Sequence, residues 1–195
     1  MTKLADGPGN APAVAHPNDP ELLHRVLTPY RAKKCEYLKS AAVTMNGQPH
    51  EGGRLTATCT LEISESCYID DTGHFNSVEF NICYNQMAYY LVAKSIKEKL
   101  IEPFSRWTMD DFWTRQLGEI LITDFRSAFR TAMRGRHFQG ELSLVDVGEW
   151  DGNDIRDPLV VIRTTCRYWD EFGGDSRGEV TAAIVNPPQP PGGWR

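Results

Sequence analysis

One segment constrains this chain more than any other: YIDDTGHFNSVEFNICYNQMAYY, Tyr68 to Tyr90, which sets polar groups along the start of an otherwise apolar helix. Thr72 or Asn76 can cap the helix start, and Gly73 lets the backbone turn closely. Val78, Ile82, Asn85, Tyr89, Val92 and Ile96 follow at helical spacing, which predicts a helix from Asn76 to Leu100 buried on at least one face. At about 100° per residue, Asn85 falls inside that apolar stripe, while Asn76, Glu79, Cys83, Gln86 and Tyr90 share a second, more polar face. A buried amide and a carboxylate near a helix start need a chemical reason, because each costs free energy unless it is paired or used.

Around this helix the pattern changes period. PELLHRVLTPY, Pro20 to Tyr30, reads as a short helix capped by Asn18 or Asp19, with Leu22, Leu23, Val26 and Leu27 on its apolar side and an end near Pro29. Two strands are expected over Glu36–Met45 and Arg54–Ile63, joined through NGQPHEGG, a turn of hairpin type. The charged run KSIKEKL closes the central helix and is expected to leave the core for solvent. Between Pro103 and Arg115, Phe104, Trp107, Phe112 and Trp113 suggest a loop or short helix packed over a pocket. Strands then follow over Gly118–Phe129, His137–Val147, Leu159–Tyr168 and Glu179–Val185, divided by WDGND and EFGGDSRG breaks. The order predicts an α+β fold in which an antiparallel sheet wraps one long helix, the outline of a single hotdog domain. Its expected limits are 20–186, between a flexible tail over 1–19 and the Pro-rich C-terminal tail 187–195.

Composition narrows the function classes. At 195 residues, 41% hydrophobic and 24% charged, the chain suits one globular domain, and its apolar runs are too short to span a bilayer. The N-terminus has neither a basic start nor an apolar core of the kind that directs secretion, so a cytoplasmic location is expected. Five cysteines at scattered spacings argue against a disulfide framework or a structural zinc site, and Cys35, Cys59, Cys83 and Cys166 read as small hydrophobes. A net charge of −5 offers no general attraction to nucleic acid. The local exception is FRSAFRTAMRGR, where Arg126, Arg130, Arg134 and Arg136 read as a solvated face or a docking patch for an acidic partner.

SESCYIDDTGHFNSVEFNICYNQMAYY, with LLHRVLTPY before it and YWDEFGG after it, resembles the FcoT-type acyl thioesterases. These are hotdog proteins first described as mycobacterial long-chain acyl-CoA thioesterases. The likeness runs from about Glu21 to Val185, and its YIxxTGHFNxVE and CxNQxAY elements are long and specific. Members act in isonitrile lipopeptide biosynthesis. The resemblance therefore implies that glycine adds through its amine to the β-carbon of a (2E)-enoyl thioester on an acyl carrier protein. Hydrolysis then gives a free 3-[(carboxymethyl)amino] fatty acid. It also implies a phosphopantetheine-linked enoyl chain and glycine as partners, no metal or redox cofactor, and at least a homodimer.

That chemistry needs a neutral amine, a polarised thioester carbonyl and a proton for the α-carbon. Backbone N–H groups between Gly73 and Asn76, at the positive end of the helix dipole, can hold the developing oxyanion. Tyr68 and Asn85 can donate hydrogen bonds to a carbonyl or a water, and Tyr30 lies in the matching LxPY segment. Glu79 is the best-placed carboxylate to take a proton from glycinium or from the hydrolytic water. His74 competes for that role, since an imidazole titrates near ~6.5 without tuning. The expected catalytic set is thus Glu79, His74, Tyr68 and Asn85, and the substrate-binding set Tyr30, Lys33, Gly73 and Asn76, with Lys33 meeting the glycine carboxylate.

Each residue also has a purely structural reading. Glu79 can serve the helix dipole, His74 a turn, Asn85 a bridge to a strand or a dimer mate, Lys33 ordinary surface charge, and Tyr89 and Tyr90 the core or an interface. The competing functions are a plain acyl-CoA or acyl-ACP thioesterase and a non-catalytic acyl-binding hotdog module. A hydratase or dehydratase pairing His74 with Glu79 is a weaker fourth.

Overall fold

The computed structural model describes residues 13–47, 54–70 and 73–188. Seven strands form one antiparallel sheet in the order β1-β2-β3-β5-β6-β7-β4: β1 Val14–His16, β2 Leu38–Asn46, β3 Arg54–Glu62, β4 Ile120–Thr131, β5 His137–Trp150, β6 Leu159–Trp169 and β7 Asp175–Val185. Helices α1 (Pro20–Val26) and α2 (Thr28–Arg31) precede β2, α3 (Ser77–Lys97) follows β3, and α4 (Met109–Arg115) precedes β4. The sheet wraps α3, which is the α+β hotdog arrangement expected from the pattern of elements. None of the described helices is long and apolar enough to cross a membrane.

Strand alternation builds the concave face. Leu55, Ala57, Cys59 and Leu61 of β3, Val160, Ile162, Thr164, Cys166 and Tyr168 of β6, and Val180, Ala182 and Ile184 of β7 are buried at every second position, as a half-covered pleated sheet requires. Against them α3 lays Phe80, Cys83, Tyr84, Met87, Tyr90 and Leu91. Phe80 is fully buried and meets Tyr168 edge to face at 4.8 Å and Phe125 at 5.6 Å; such a ring contributes roughly 1.5–3 kcal/mol. Helix and sheet approach so closely that a Cβ on Gly178 would lie 2.8 Å from Phe80 Cζ and 2.9 Å from the Arg126 carbonyl.

The helical phase differs from the one expected. Val92 and Ile96 are buried as expected, but Val78 is exposed and Ile82, Asn85 and Tyr89 are only half-buried, whereas Glu79, Cys83, Gln86 and Tyr90, expected on the more polar face, are buried. The segment entering β2, the start of α1 and the α3 cap supply hydrogen-bond partners to Gln86, Tyr90 and Glu79, so polarity did not send that face to solvent. Gln86 is the buried amide: its Oε1 accepts the Tyr37 and Leu38 N–H groups, both at 2.9 Å, and its Nε2 donates to the Cys35 carbonyl at 2.6 Å.

KSIKEKL follows expectation only in part: Lys97 and Lys99 are exposed, but its start is not. Lys94, Ser95 and Ile96 are buried, and the Lys94 ammonium pairs with Glu98, whose carboxylate also meets His16. Lys97 pairs with Asp19 at 2.6 Å. Asp19 in turn caps α1 by accepting the Leu22 N–H, and its own N–H donates to the Tyr90 hydroxyl at 2.9 Å. These charges are held because each has a partner. Within the stretch read as a flexible tail, Val14–His16 pairs with β2 in register Val14↔Met45. The Thr72 cap, most of the β2–β3 turn, and the tails over 1–12 and 189–195 lie outside the described residues. Between α3 and β4, a 3₁₀ turn at Phe104–Arg106 and α4, capped reciprocally by Thr108 and Asp111, bury Phe104, Trp107 and Phe112. β7 begins at Asp175, four residues ahead of its expected start.

Candidate active site

The start of α3 is built by a reciprocal cap. Asn76 Oδ1 accepts the Val78 N–H at 2.9 Å and the Glu79 N–H at 3.3 Å, and Glu79 Oε2 accepts the Asn76 N–H at 3.3 Å. The arrangement satisfies helix-end donors that would otherwise be orphaned and fixes the Glu79 carboxylate. Glu79 is 5% exposed. Gly73, with φ +73°, supplies the left-handed residue that brings the chain into this cap. Phe75 then anchors the entry: its ring packs on Phe138 at 5.0 Å and Tyr168 at 5.3 Å, and its N–H donates to the Met133 carbonyl at 2.9 Å.

Two clefts meet at His74. One, of only about 10 Å³, is polar and narrow, lined by Ser66, His74, Glu79 and the Arg134–Arg136 segment with Ile63. The other, of about 370 Å³, is lined by His74, Phe75, Asn76, Ser77, Phe129 and Ala132, two of them phenylalanines. His74 is therefore the one expected catalytic group with access to both. The Ser66 hydroxyl oxygen is buried without a hydrogen-bond partner among the described residues, an uncommon state that marks a donor open to an added acceptor.

Tyr68, Asn85, Tyr30 and Lys33, the other expected residues, are not among those lining these two clefts. Tyr68 is 41% exposed, on the loop after β3 that also carries Ser66. Asn85 is half-buried two turns along α3, and its Nδ2 donates to Asn81 Oδ1 at 3.3 Å. Tyr30 packs against the core from α2, and burial, followed by the proximity of Tyr89, Cys35 and Cys83, raises its hydroxyl pKa well above the usual tyrosine value. Lys33 is exposed in the turn after α2. The structure thus gathers Gly73, His74, Asn76 and Glu79 at one place and leaves Lys33 at the surface.

Burial governs the thiols. Cys83, one turn beyond Glu79, has its pKa pushed well up by burial and then by that carboxylate, and Cys35 is pushed up by burial to about 11. These groups stay protonated, so they pack rather than attack. All five cysteines are free. Among the described residues, no group of three His, Cys, Asp or Glu side chains is placed to hold a metal ion.

Sequence reasoning missed Ser66, Arg134 and Arg136 as lining residues. Ser66 stands two positions before Tyr68, within the SESCYIDD stretch that carries the resemblance, so adjacency is an available signal. The arginines were read as one face with Arg126 and Arg130, and the structure separates them. Phe125 and Phe129 of β4 face Phe80, so Arg126 and Arg130 project from the opposite face. There they line a groove of about 580 Å³ with Arg167 and Arg177, among Glu141 and Glu179. Arg134 and Arg136 instead follow the end of β4 and close over the α3 start.

The FcoT-like thioesterase domain model matches residues 25–184, a span that contains both clefts. A curated (2E)-enoyl-[ACP] glycyltransferase from Streptomyces coeruleorubidus is 51% identical over 170 residues, covering 87% of this chain and 99% of that protein. One of the same name from Mycobacterium tuberculosis (strain H37Rv) is 35% identical, covering 86% of this chain and 87% of that protein. Among solved structures, a mutant thioesterase from Pseudomonas aeruginosa aligns with a TM-score of 0.44 at 12% identity, over 86% of this chain and 94% of that one. With the family model and two relatives each spanning most of its length, this chain belongs to the FcoT-like thioesterase family.

Proposed function

We propose that this chain is a (2E)-enoyl-[acyl-carrier-protein] glycyltransferase. It adds glycine to the β-carbon of a carrier-bound enoyl thioester and then hydrolyses the thioester, releasing a free 3-[(carboxymethyl)amino] fatty acid for isonitrile lipopeptide biosynthesis. The observation that carries this reading is the 51% identity over 87% of the chain to a curated protein of that name.

The clefts give the reading a physical form. The enoyl chain lies in the larger cleft and glycine at the mouth of the polar one, so the two reactants meet beside His74. Glu79 takes a proton from glycinium. The freed nitrogen lone pair bonds to the β-carbon while the double-bond electrons move onto the thioester oxygen. Backbone N–H groups at the α3 start hold that enolate oxygen, with Gly73 permitting close approach. His74 returns a proton to the α-carbon, giving the saturated thioester. Water, oriented by Tyr68 and Asn85 with Tyr30 nearby, then adds to the carbonyl and expels the pantetheine thiol.

A homodimer belongs to the same reading. β4 is a twelve-residue edge strand, exposed along most of its length, and α3 leaves Val78, Ile82, Asn85 and Tyr89 short of full cover. Both favour pairing with a second copy. Five free cysteines suit a reducing, cytoplasmic setting.

The test is mass spectrometry of crotonyl and longer enoyl thioesters on a carrier protein, incubated with enzyme with and without glycine. A free acid carrying the mass of glycine is expected. Unmodified enoic acid alone would make this a plain thioesterase, and unchanged thioester would return the binding-module reading.

A further inference from the structure

The polar cleft contains a carboxylate, Glu79, that by itself repels a carboxylate-bearing amine. Glycine with its amine neutral carries one negative charge, so binding it beside Glu79 requires cations on the same wall. Arg134, Gly135 and Arg136 line the same cleft as Glu79.

This segment is pinned at three points. The Arg134 N–H donates to Asp170 at 3.0 Å, the Met133 carbonyl accepts the Phe75 N–H at 2.9 Å, and the Arg136 carbonyl accepts the Ile63 N–H at 3.1 Å. The guanidinium heads are oriented as well. Arg134 lies over the Phe172 ring at 3.9 Å and forms no ion pair among the described residues, and Arg136 Nη1 donates to the Ser64 carbonyl. Planar heads fixed in advance lose little freedom when they meet a carboxylate. Ser66 Oγ, buried in the same cleft with no hydrogen-bond partner among the described residues, supplies a further donor.

We infer that Arg134 and Arg136, with Ser66, form the subsite that holds the carboxylate of the amine donor and so select an α-amino acid over a simple amine. The inference rests on the glycine-adding reading above. It moves the cation from Lys33, exposed in the turn after α2, to the cleft that Glu79 lines.

The test compares glycine with glycinamide, which keeps the amine and lacks the carboxylate, as donors to crotonyl carrier thioester. The parent enzyme should prefer glycine, and in Arg134→Gln/Arg136→Gln the ratio of kcat/KM values should fall by about tenfold or more through a raised glycine KM. Arg134→Lys/Arg136→Lys, which keeps both charges, should retain most of the preference. Should the glutamine pair not fold, Arg134→Gln alone leaves the Ser64 bond in place and carries the test. An unchanged ratio, with both donors slowed alike, overturns the inference. So does a raised KM for the carrier thioester with amine selectivity intact, which would assign the arginines to the pantetheine phosphate. No adduct from either amine in the parent overturns the glycine-adding reading itself, a result distinct from lost selectivity.

Discussion

Asp170 Oδ2 accepts the backbone N–H of Arg134 at 3.0 Å, and through that bond the β6–β7 turn holds one wall of the cleft at the α3 start. The same carboxylate takes the Phe172 N–H at 3.0 Å and the Gly174 N–H at 2.8 Å through Oδ1. Burial alone would raise its pKa, but the backbone donors of Arg134, Gly174 and Phe172 outweigh burial and hold it below the usual aspartate value.

A depressed carboxyl pKa stabilises the fold above the unfolded value of about 3.9 and loses that contribution as pH falls through the lower folded value. Asp170→Asn should therefore cost about 2 kcal/mol at neutral pH, because an amide nitrogen cannot accept the Arg134 N–H. Its melting temperature should also fall less steeply than the parent's between about pH 5 and pH 2. Parallel acid profiles in thermal denaturation would remove Asp170 from the linkage.

Glu79→Gln separates chemistry from capping. A glutamine oxygen can still accept the Asn76 N–H, so the helix start is retained and melting should shift by only about 2 °C. Adduct formation should drop by about 100-fold or more if the carboxylate is the base. Normal turnover would transfer the role to His74.

Gln86→Leu should be among the costliest single changes in α3. It leaves the buried Tyr37 and Leu38 N–H groups without their acceptor, an expected loss of roughly 3–5 kcal/mol and about 10 °C in Tm. Chemical denaturation giving less than about 1 kcal/mol would mean that β2 shifts to repair the bonds.

Ile82→Arg places a charge on the half-buried face of α3. Sedimentation should show the parent as at least a dimer and the variant shifted toward monomer. A parent that sediments as a fully active monomer would contradict the dimer.

The sequence alone carried the hotdog outline, the length of the central helix and the capping of its start. These features rest on short-range physics: alternation in Arg54–Glu62, the S/T/N-x-x-E spacing of Asn76 and Glu79, and glycine ahead of them. Helical phase was not decided there. Val78, Ile82, Asn85 and Tyr89 look like the buried stripe by hydropathy, yet Gln86 went inside because Tyr37 and Leu38 offered it partners at long range, beside a Glu79 held by the local cap. Nor could local pattern divide four arginines spaced along one run. Strand pleat turned Arg126 and Arg130 to the outer face, and the end of β4 carried Arg134 and Arg136 back over α3, where Asp170 and Phe75, distant in sequence, hold them. Local order in the chain sets propensities and caps. Which polar groups meet around Glu79 depended on tertiary hydrogen bonds that only the closed sheet provides.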